Sequence, residues 1–93
     1  MLTFLLAALF SIPPRYDYPP RVPVHVIEAS RATVHRVCAK AAGYRGGNRI
    51  LACAIPTKNR CTIIWPQGVP RSGHMWRHEM AHCNGWNHGW VNR

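Results

Sequence analysis

Four cysteines constrain this chain more than any other feature. Cys38, Cys53, Cys61 and Cys83 fall within 93 residues, and a body that small buries too little core to hold together without cross-links or a bound ion. None of the four forms a Cys-x-x-Cys, so a structural metal knot of thiolates is not indicated. An even number in a short chain reads as two disulfides, with three pairings open. Disulfides persist in oxidising compartments, and the N-terminal segment agrees with that setting. Residues 1–12 are apolar apart from Thr3 and Ser11 and stop at Pro13-Pro14. Such a run is too short to span a bilayer as a helix and has the character of a signal-peptide core. The expected location is therefore secreted or periplasmic.

The rest of the chain divides simply. Residues 13–21 carry Pro13, Pro14, Pro19 and Pro20 around Tyr16 and Tyr18, and read as an extended, polyproline-like lead-in. Residues 22–93 form one domain. Val22–Ile27 has the β-branched content of a strand, with Pro23 placing it at an edge or a strand start. Ser30 is an N-cap, after which Val34, Val37, Cys38 and Ala41 follow helical spacing, and Gly43 is the stop. Ile50–Ile55 is an apolar run that reads as a buried strand, Pro56–Arg60 turns the chain, and Cys61–Trp65 returns as a second strand. Ser72 caps a last helix over Gly73–Asn84. On a helical wheel Cys83 lies on the apolar side of this helix, and Cys38 lies on the apolar stripe of the first. That placement favours Cys38–Cys83 between the helices, with Cys53–Cys61 across the hairpin.

The last helix also carries the densest chemistry. His78-Glu79-Met80-Ala81-His82 places two imidazoles four residues apart, one above the other on one helix face. Glu79 sits about 100° round from His78. Gly85 follows where helices end in a left-handed turn, and His88 comes three residues later. Two imidazoles on a helix, a third returning from beyond it and an adjacent carboxylate form a constellation with zinc-ligand spacing. Three protein ligands leave one position open for water. The expected set is one Zn2+ held by His78, His82 and His88, with Glu79 beside the metal-bound water.

The eleven residues from His78 to His88 resemble the signature of the metzincin zinc endopeptidases, His-Glu-x-x-His-x-x-Gly-x-x-His. The resemblance implies a minimal zincin-like α+β fold, a small twisted sheet with a backing helix and an active-site helix on one face. It also implies a zinc metallopeptidase in which a zinc-activated water attacks a peptide bond, Glu79 is general base and Gly85 is the turn. The methionine turn of that clan has no counterpart after His88, since Met75 and Met80 both precede it. The expected partner is a peptide or protein substrate, with the Cys61–Trp65 strand as the edge on which it pairs.

Charge supports a second expectation. Twelve Lys and Arg stand against Asp17, Glu28 and Glu79, a net charge of +9, which favours polyanionic surroundings such as an anionic envelope surface. The cations are spread along the chain without interleaved aromatics, so a nucleic-acid module is not indicated. The alternative to a monomeric peptidase is therefore a non-catalytic basic binding module that uses zinc only to fold.

Overall fold

A computed structural model describes residues 11–87. The N-terminal apolar segment expected as a signal lies almost wholly outside these residues, as does His88. The described chain is a small α+β domain in which β1 (Val24–Ala29), α1 (Arg31–Ala42), β2 (Cys53–Pro56), β3 (Cys61–Pro66) and α2 (Gly73–Cys83) follow one another. The sheet is mixed and its order is β1-β3-β2. β3 runs parallel to β1, with Val26 opposite Ile63, and antiparallel to β2, with Cys53 opposite Ile64.

Local chemistry accounts for the boundaries. The Ser30 side chain accepts a hydrogen bond from Thr33 N, the N-cap that opens α1. Gly43 closes α1 at φ 66°, a conformation that an L side chain rarely adopts. β2 begins three residues later than the apolar run, because Ile50 N donates to His35 Nδ1 (2.9 Å) and not to a strand neighbour. Ile50 is buried all the same, within a cluster that includes Val34, Cys38 and Ile64.

β3 is the centre of the molecule. Cys61, Ile63, Ile64, Trp65 and Pro66 are all buried, as expected for a strand covered on both faces. Strand residues alternate in direction, so Ile64 and its partner Cys53 point to one face while Cys61, Ile63 and Trp65 point to the other. The first face receives α1 through Val34 and Cys38. The second receives α2, through the Cys61–Cys83 disulfide and the edge-on contact of Trp65 with Trp76, 5.0 Å between ring centres. The helices thus sandwich the sheet, where the zincin-like expectation had both on one face.

That arrangement decides the disulfides. All four cysteines are oxidised, but the pairs are Cys38–Cys53 and Cys61–Cys83, not Cys38–Cys83 and Cys53–Cys61. Cys38 and Cys83 have the sheet between them. Cys53 opposes Ile64 and Cys61 opposes Pro56, so the two hairpin cysteines lie three rungs apart, about 10 Å along the strand. A disulfide spans only about 4.4–6.8 Å between Cα atoms. Each bridge instead ties one helix to the sheet.

The proline-rich lead-in is also more ordered than its composition implies. Pro14–Tyr16 forms one 3-10 turn, and Asn84 Nδ2, at the end of α2, donates to the carbonyls of Tyr16 (2.9 Å) and Tyr18 (2.7 Å). Arg77 donates to both carboxylate oxygens of Asp17. Ile12 is buried at the start of this segment.

Candidate functional site

α2 presents two functional faces. Trp76, Glu79, Met80 and Cys83 recur at i, i+3, i+4 and i+7, which is one stripe of a helix. Trp76 and Cys83 fix that stripe against the sheet, and Glu79 between them is 5 % exposed. His74, His78 and His82 form a second row at intervals of four residues. The helix ends in a Schellman turn, with Trp86 N bonding Ala81 O (3.1 Å), Gly85 N bonding His82 O (3.0 Å) and Gly85 at φ 98°. This reversal brings Trp86 back along the helix. Its indole stacks on the His82 imidazole at 5.2 Å and 14°, and meets His78 edge-on at 5.1 Å.

The hydrogen bonds fix the tautomers of the pair. A carbonyl can only accept, so the 2.6 Å contact between His82 Nδ1 and Trp86 O puts a proton on Nδ1. Burial pushes the His82 pKa down, partly offset by that backbone bond, so the ring is neutral at pH 7 and its Nε2 is an acceptor. The 3.1 Å contact between the two Nε2 atoms is then a donation from His78 to His82. Each ring orients the next, from His78 to His82 to the Trp86 carbonyl.

Glu79 occupies different surroundings. Burial without a compensating cation pushes its carboxyl up to about 8. Its Oε1 is enclosed with no hydrogen-bond partner among the described residues. His74 Nε2 is likewise buried without one, although a side chain at the start of a helix is ordinarily solvated. The signal for His74 was its position one turn before His78, on the same row.

These positions overturn the zinc expectation. Among the described residues no three His, Cys, Asp or Glu side chains gather as a group that could hold a metal ion. His78 and His82 are turned onto each other and onto Trp86, Glu79 faces the sheet, and both Cys61 and Cys83 are consumed by their bridge. Among the described residues the donor set does not fit the one-zinc site, and the zinc cofactor is not retained; the fold stands as a small α+β arrangement of a three-stranded mixed sheet and two helices. The expected substrate edge also changes, because β3 is the central strand and the free edges belong to β1 and β2.

No protein-family model, curated protein or solved structure matches this chain. The metzincin resemblance thus rests on eleven residues that gather no metal-holding group among the described residues, the expected third ligand His88 lying outside them.

Proposed function

We propose that the chain is a small peptide hydrolase in which Glu79 is the general base and the His78–His82 pair orients the reacting carbonyl. The observation that carries this reading is the enclosed carboxyl of Glu79. A carboxyl buried without partners costs several kcal/mol unless it takes up a proton (about 2–7 for an unpaired polar group), so its presence on the core stripe needs a reason other than stability. A carboxyl with pKa about 8 is poised near neutral pH, where a base of that strength transfers protons most effectively.

Local opening of α2 from the sheet admits water and substrate to the enclosed Glu79, and the ionised carboxylate takes a proton from the water as its oxygen bonds to the peptide carbonyl carbon. The N–H of His78, now shared with His82, turns to the developing oxyanion. Collapse of the tetrahedral species breaks the C–N bond, and protonated Glu79 hands its proton to the leaving amine. The water is consumed between the two products, and the carboxylate is restored. An extended substrate adds to β2, the free edge nearest α2. Two disulfides are consistent with work in an oxidising, extracytoplasmic compartment.

The test is a peptide-library assay of the unmodified protein and of Glu79→Gln, each run with and without a chelator. We expect Glu79→Gln to fold normally and to lose cleavage by at least about a hundredfold. The rate of the unmodified protein should rise with pH through about 8 as Glu79 ionises. Cleavage that vanishes on chelation, or that survives Glu79→Gln, overturns this mechanism. Absence of cleavage in both proteins moves the chain to the binding class.

A further inference from the structure

The acidic side chains of this molecule leave its cations unopposed. The chain has three acids in all. Asp17 is engaged by Arg77, Glu28 is engaged by Arg71 at 2.7 Å, and Glu79 is buried and held protonated at pH 7. No carboxylate remains to offset the other basic groups, so their placement alone decides where the positive field is strongest.

α1 and the segment that follows it carry five of them. Arg36 and Lys40 stand four residues apart, on the side of the helix opposite the buried Val34 and Cys38. Arg31 opens the same helix. The chain beyond Gly43 doubles back beside α1, held by Tyr44 N on Ala39 O (2.9 Å) and by Ile50 N on His35 Nδ1 (2.9 Å), which lays Arg45 and Arg49 along its flank. All five are exposed. Arg36 is steadied by Thr33 Oγ1 at 3.4 Å, and the Cys38–Cys53 bridge fastens the helix to the sheet beneath. Acids are absent from α1, so cations four residues apart repel one another without relief. Arg31 in the first turn also opposes the helix dipole. An ordinary solvated helix would alternate its signs.

We infer that the outer face of α1, with Arg36 and Lys40 and the flanking Arg45 and Arg49, binds an anionic polysaccharide bearing sulfate or phosphate groups. Guanidinium forks match such oxyanions two bonds at a time. The aromatic beside this face, Tyr44, packs against the core cluster and so is not an open platform of the kind that unpaired bases need. The two disulfides suit an oxidising setting, where charged glycans are among the accessible polyanions. This site is separate from the His78–Glu79–His82 cluster, because the sheet lies between α1 and α2.

The test uses the full chain with its disulfides intact, and heparin as the probe. Arg36→Glu, Lys40→Glu and Arg49→Glu are combined in one variant. Arg21→Glu, Lys58→Glu and Arg60→Glu, at the hairpin end, make a variant of equal charge change. Circular dichroism verifies that both are folded. We expect heparin affinity at low salt to fall at least about tenfold in the α1 variant, with a log–log salt slope shallower by about two, and to fall much less in the hairpin variant. Equal losses in the two variants would mean that binding follows net charge, and would overturn the site. So would failure of the unmodified protein to bind heparin, or tighter binding to duplex DNA than to heparin with the same α1 dependence.

Discussion

Glu79 sets the behaviour of this protein at the level of single residues. Its folded-state pKa is raised from 4.5 to about 8, so the folded protein keeps a proton that the unfolded chain has released across that window. Stability from this group is complete below about pH 4.5 and declines as pH rises, at about 1.4 kcal/mol per pH unit, until pH reaches about 8. We expect chemical denaturation between pH 5 and 8 to show that slope, and Glu79→Gln to abolish it. A slope that persists in Glu79→Gln would assign it to another group. The proposed chemistry needs the ionised form, so the pH that favours turnover is the pH that weakens the fold. His82 behaves oppositely: its pKa is lowered, so the ring stays neutral and keeps its Nδ1 proton on the Trp86 carbonyl. The eleven-residue pattern made His78, Glu79, His82 and Gly85 legible as a group. It could not show that the histidines would bond each other, since that depends on where the returning Trp86 settles.

Helices and strands were read more securely than their pairing. Ser30 and Gly43 bounded α1 correctly, because capping is local chemistry. β1 and β2 start later than their apolar runs, since the ladder, not hydrophobicity, defines a strand. The disulfides test the sandwich directly. Non-reducing peptide mapping should recover Cys38–Cys53 and Cys61–Cys83. Loops of 15 and 22 residues place each bridge at about 3 kcal/mol of stability. Cys61→Ala with Cys83→Ala should cost that amount and also weaken the near-ultraviolet dichroism of the Trp65–Trp76 contact. Cys38→Ala with Cys53→Ala should cost a similar amount and leave that signal in place. Recovery of Cys38–Cys83 would remove the sheet from between the helices.

Across the whole molecule, the lead-in and the end of α2 act as one unit. Asn84 donates to Tyr16 and Tyr18 backbone carbonyls, and Arg77 pairs with Asp17, so residues sixty or more apart in sequence close the domain beside the histidine row. Exposed ion pairs contribute little; the two amide bonds contribute more, at about 1 kcal/mol each. Asn84→Ala should therefore accelerate chymotryptic cleavage after Tyr16 by about tenfold or more, through local opening without loss of the core. Unchanged cleavage would mean that the 3-10 turn and the buried Ile12 hold the segment without Asn84.

The order of elements, the caps of α1, the oxidised state of the cysteines, the excess of positive charge and the helix carrying His78, Glu79 and His82 were decided by residues near one another in the chain. Their causes are short-range: periodicity, capping and composition. Which cysteines joined, which face each helix covered, which strand became central and whether the histidines met a ligand or each other were decided only in three dimensions. Each depends on the parallel pairing of β1 with β3, a contact between residues nearly forty positions apart. That pairing places β3 inside the sheet, and strand alternation then sends Ile64 to α1 and Trp65 to α2. No local pattern encodes that choice, because the apolar content of β3 suits an edge covered on one face as well as a centre covered on two.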